Sequence, residues 1–74
     1  MGDAADDELD ARGLLCPLPV LKARKRLQGM AEGAVLSVLA DDPAAVVDVP
    51  HFCAEAGHAL LEQTAGRYLI RKGG

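Results

Sequence analysis

Two prolines separated by one residue, Pro17 and Pro19, constrain this chain more than any other feature. Proline has no backbone N–H and a fixed φ, so two this close fit where neither nitrogen is asked for a hydrogen bond. The first turn of a helix is such a place, because its N–H groups have no intrahelical acceptor. The residues downstream agree: Val20, Ala23, Leu27 and Met30 recur at helical spacing. Lys22, Lys25, Arg26 and Gln28 point away from that stripe and Arg24 lies at its border. With Cys16 as N-cap, Pro17 falls at the first helical position and Pro19 at the third. A residue before proline is driven out of the α region, as an N-cap requires. Gly29 and Gly33 bracket the end of the helix.

The remaining elements follow from this anchor. Residues 1–7 form a loose tail and residues 8–74 a single domain, opening with a short alternating strand over 8–12 that runs into Gly13. Residues 34–40 (AVLSVLA) predict a well-buried strand, which Asp42-Pro43 terminates. A second helix starts at Asp48 as N-cap, buries Val49, Phe52, Cys53 and Ala56, leaves His51 and Glu55 outside and closes at Gly57. Two strands, 58–64 and 67–72, meet at a tight turn on Ala65-Gly66. The order βαβαββ, with each helix needing one apolar face covered, predicts an α+β two-layer sandwich. Two helices cover one face of a four-stranded mixed sheet, and the other face is open to solvent or a partner.

Composition excludes several classes. Half of the residues are apolar and the net charge is −3, which is not a disordered composition. Two cysteines, Cys16 and Cys53, are too few for a disulfide scaffold. No apolar run reaches membrane-spanning length, and the acidic start (MGDAADDELD) is unlike a secretory signal, so a cytoplasmic protein with reduced thiols is expected. Lys22, Arg24, Lys25 and Arg26 make one basic cluster and Arg67, Arg71 and Lys72 another, while five of the eleven acids lie in the first ten residues. Such fields steer acidic partners or simply solvate a helix face. No aromatic residue is interleaved with the bases, so no stacking platform for single-stranded nucleic acid exists and no direct nucleic-acid partner is expected.

Cys16 is the candidate reactive group. At a helix start it would have the unpaired Leu18 N–H and the helix dipole beside it, and both favour a thiolate with a depressed pKa. Cys53, on an apolar helical stripe beside Phe52, is expected to be packing only. Neither cysteine sits in a CxxC pair. Cys16, Cys53, His51 and His58 lack metal-ligand spacing, so no metal is expected, and both histidines are read as surface residues. The terminal Gly73-Gly74 is open to two readings: a frayed end, or the diglycine of a thiocarboxylate-type sulfur carrier.

Three segments in order, LDARGLLCPLP, ADDPAAVVDVPHFC and RYLIRKGG, resemble the TusA/SirA-like sulfur carriers, from Leu9 to Gly74 and closest to the TusA branch. The resemblance implies the βαβαββ sandwich and a catalytic Cys16 in a Cys-Pro-x-Pro motif with Pro17 and Pro19. It implies a sulfurtransferase that takes sulfane sulfur as a Cys16 persulfide from a PLP-dependent cysteine desulfurase. The sulfur then passes to a cysteine of the next relay protein and usually ends in tRNA 2-thiouridine. Relatives serve sulfur oxidation or molybdenum cofactor synthesis. Arg24 and Asp42 match positions the family uses around the carrier site, where partners bind. Leu18 stands where TusA proteins often carry an acid, and Ala54-Glu55-Ala56 where bulkier residues are common. The carrier needs no cofactor of its own, and a monomer is expected. A non-catalytic regulatory module using the basic helix and the open sheet face is the competing reading.

Overall fold

The computed structural model describes residues 5–73. The strands are β1 (Asp7–Asp10), β2 (Val35–Leu39), β3 (Ala59–Thr64) and β4 (Arg67–Arg71), and the helices are α1 (Leu18–Gln28) and α2 (Ala45–Ala56). The element order is the expected βαβαββ, with the helices packed on a four-stranded mixed sheet of order β1-β2-β4-β3. β1 runs parallel to β2, and β4 lies antiparallel between β2 and β3.

Register explains the core. Leu9 faces Val38, Val38 faces Tyr68, and Leu36 faces Ile70 across the ladders, so these five line one side of the sheet and are all buried. α1 covers them with Pro19, Ala23 and Leu27, and α2 with Ala45, Val49, Phe52 and Cys53. Val20 and Met30 are only partly buried against this core. On the opposite side Ser37 is buried, its Oγ accepting a hydrogen bond from Arg67 Nε at 3.0 Å.

Several boundaries differ from expectation. Residues 1–4 of the expected tail, and Gly74, lie outside the described residues. Asp6 exchanges bonds with Val35, donating its N–H to Val35 O at 2.7 Å and accepting Val35 N–H at Oδ2 at 2.8 Å, so pairing begins earlier than residue 8. β1 ends at Asp10, although Ala11 still donates to Leu39 O at 2.7 Å.

α2 starts at Ala45, not at Asp48, because the Asp42-Pro43 turn runs directly into it. Asp42 accepts the Ala44 N–H at Oδ1 (3.2 Å) and the Ala45 N–H at its carbonyl (2.9 Å). Pro50 therefore lies inside the helix, and its missing N–H leaves the Val46 carbonyl without a helical donor; Gln63 Nε2 supplies one at 3.3 Å. Ala56 is exposed, so the buried stripe opens at Ala45 and closes at Cys53. Gly57 ends the helix at φ 81°, a left-handed conformation costly for other residues.

Candidate functional site

The chain leaves β1 through Gly13 and reaches Cys16 in a turn closed by the Leu18 N–H donating to Leu15 O at 2.8 Å. The Cys16–Pro17 peptide within this turn is cis. The turn moves the helix start by one residue. Pro17 is the N-cap, Leu18 the first helical residue and Pro19 the second, while Cys16 stands just outside. The Leu18 N–H, expected to be free for a thiolate, is spent on the turn.

Asp42 and Asp48 flank the thiol instead. The Cys16 N–H donates to Asp42 Oδ2 at 2.5 Å, and the Cys16 S–H donates to Asp48 Oδ2 at 3.0 Å. The Asp48 hydrogen bond, then desolvation, then the charges of Asp48 and Asp42 push the Cys16 thiol above its ordinary pKa. This corrects the depressed value expected from the helix dipole. A carboxylate in contact with the sulfur outweighs a half-charge beyond an intervening turn.

Cys16 is exposed and Cys53 buried, and both are free thiols. Burial pushes Cys53 up to about 11. Cys16 opens onto a groove of about 340 Å³ between the helices, lined also by Val20, Arg24, Asp48, His51, Phe52 and Glu55. Arg24 and Asp42 thus both stand at the Cys16 end of the molecule. Lys22, Lys25 and Arg26 face a different groove beside β1, where Arg26 pairs with Asp7 at 2.9 Å. The basic run on α1 is therefore divided between two surfaces.

Two site residues escaped the sequence reading. Asp48 was expected as a helix cap; in the structure its side chain turns to the sulfur. His51 is exposed, as a surface residue should be, and stands 3.5 Å from Glu55 Oε2, but it also lines the Cys16 groove. Their common signal is spacing: Asp48, His51 and Glu55 recur at helical intervals on one face of α2. His58 departs from a surface role: it is half-buried, packs on Phe52 at 5.6 Å between ring centroids, and accepts the Gly73 N–H at Nδ1 at 3.0 Å. Among the described residues, no group of three or more His, Cys, Asp or Glu is arranged to hold a metal ion. Nor, among them, is any helix long and apolar enough to cross a membrane.

A helix-backed mixed sheet holding one exposed thiol at its first strand-to-helix junction defines a small thiol-presenting α+β domain. A family described as Sulfurtransferase TusA matches residues 7–72, and the chain belongs to that family of sulfur carriers. The crystal structure of a SirA-like protein from Desulfitobacterium hafniense is similar to it, with a TM-score of 0.67 and 27% identity. That similarity covers 92% of this chain and 99% of the other.

Proposed function

We propose that Cys16 carries sulfane sulfur between proteins as a persulfide, received from a cysteine desulfurase and passed to a cysteine of the next relay protein. The observation that carries this reading is the division of the two thiols, Cys16 exposed at a groove and Cys53 sealed in the core. Cys16 sulfur attacks the terminal sulfur of a donor persulfide, R–S–SH. The new bond joins Cys16 Sγ to that sulfur, the donor S–S bond breaks, and its electron pair leaves on the donor sulfur. The products are Cys16–S–SH and R–SH, with the thiol proton transferred and no external oxidant consumed. With the only other cysteine buried, nothing within the chain is placed to resolve the persulfide as a disulfide.

The proposed end product is 2-thiouridine in tRNA, made by proteins further along the relay in the cytoplasm, with Arg24 and Asp42 contacting the partners. Incubation with a desulfurase and cysteine should add about one sulfur atom to Cys16 and none to Cys53, read by peptide mass. An undiminished adduct in Cys16→Ala would defeat the reading. In cells, Cys16→Ser should deplete thiolated tRNA; unchanged thiolation would favour the regulatory module. A thiocarboxylate role at the C-terminus has less support, since Gly73 is tied to His58 and lies against Gly57.

A further inference from the structure

Sulfur exchange proceeds through the thiolate, and a thiol that donates to a carboxylate is stabilised in its protonated, slower-reacting form. Cys16 is in that situation. Its sulfur faces Asp48 from α2, with Asp42 on the preceding loop, Arg24 on α1 and His51 and Glu55 further along α2. Among the described residues Asp48 alone bonds the sulfur. The structure therefore presents a nucleophile at an open surface together with the group that restrains it.

We propose that Asp48 is a proton-holding residue: its hydrogen bond keeps Cys16 a thiol in the free carrier, and docking on a sulfur-donating or sulfur-accepting protein breaks that bond. The proposal rests on Cys16 being the sulfur-accepting residue. In the arming step no bond to sulfur other than S–H is lost. The proton goes to solvent or to a base of the partner, and Asp48 remains a carboxylate.

The position of the pair suits such a release. Asp48 lies in the first turn of α2, directly after Val46 and Val47, which are 56% and 69% exposed. Leu15, next to Cys16, is 69% exposed. A protein surface closing over these side chains presses on both residues of the pair. Between encounters a protonated Cys16 resists soluble alkylators and oxidants, whose attack depends on thiolate.

The test is the rate of Cys16 alkylation by iodoacetamide against pH, read on the Cys16 peptide, in the full chain and in Asp48→Asn. The wild-type midpoint should lie above that of an ordinary cysteine. Loss of the charged acceptor should lower it and raise the thiolate fraction at pH 7. The less basic thiolate is a weaker nucleophile, which offsets part of that rise and leaves a net rate gain. Asp42→Asn, whose contact is with the Cys16 backbone, should produce a smaller gain.

A wild-type midpoint at or below the ordinary value overturns the proposal, and that measurement needs no variant to fold. An Asp48→Asn protein no faster than wild type overturns it equally. The arming step has its own readout: the sulfuration rate from a desulfurase divided by that from glutathione persulfide should be larger in wild type than in Asp48→Asn. Equal ratios would show that docking does not act through Asp48. Alkylation requires no sulfur donor, so a failure of this proposal is distinguishable from a failure of Cys16 to accept sulfur.

Discussion

Cys16 and Cys53 are chemically identical residues given opposite fates by their surroundings. Cys53 is 2% exposed and its thiol is held up to about 11, so its thiolate is scarce and unreachable at neutral pH. Native alkylation at pH 8 should therefore label Cys16 alone, with Cys53 reacting only after denaturant is added; equal labelling in buffer would contradict the packing. This division was legible from the apolar stripe around Cys53 and the proline frame around Cys16. The charge state of Cys16 was not, because it depends on Asp48, thirty-two residues away and expected as a helix cap. Family likeness alone pointed to Asp42, as a partner-binding residue, and the structure sets it beside Cys16. Its physical task, receiving the Cys16 N–H, required the two loops to meet in space.

At the scale of elements, periodicity located α1 well and α2 poorly. α1 keeps one face in the core through Ala23 and Leu27, each 1% exposed, while Leu21 on the other side is 47% exposed. Leu27→Ala should cost about 3 kcal/mol and Leu21→Ala less than about 0.5 kcal/mol, read by urea denaturation. A domain of this size holds on the order of 4–11 kcal/mol in all, so the first substitution removes a large share of its stability. Comparable losses at the two positions would mean that α1 packs differently. Pro19, buried at the start of this stripe, escaped a pattern that counted only aliphatic side chains. A start at Asp48 would keep Pro50 in the first turn of α2, where proline is tolerated. The chain instead tolerates Pro50 inside the helix because Gln63, on the neighbouring β3, satisfies the freed Val46 carbonyl. A compensation that comes from another element leaves no mark in local sequence.

The whole molecule combines these local fields into a pH dependence of stability with two limbs. On the acid side, desolvation and then the Lys72 charge lower the His58 pKa. The folded state therefore binds this proton less readily than the unfolded chain. Its contribution is complete above about pH 6.5 and is lost as pH falls through the lowered folded value. Protonation of Nδ1 also removes the acceptor for the Gly73 N–H. Asp7, bonded to Arg26, and Asp10, lowered to about 2 by bonding to Arg12, act further down: their contributions are present above about pH 4 and vanish toward pH 2.

On the alkaline side the sign reverses. Cys16 and Cys53 have folded pKa values above their unfolded ones, so their contributions are full below about pH 8.5 and decline as pH rises through the folded values, for Cys53 at about 11. Urea midpoints measured from pH 3 to pH 10 should trace a dome between these limbs. His58→Gln should flatten the shoulder just below pH 6.5, and Asp48→Asn should flatten the start of the alkaline fall while leaving the acid shoulder in place. If Asp48→Asn left the alkaline limb untouched, the thiol could not be tied to that carboxylate in solution, because a hydrogen bond that holds a proton in the folded state must also stabilise the fold wherever that proton is present.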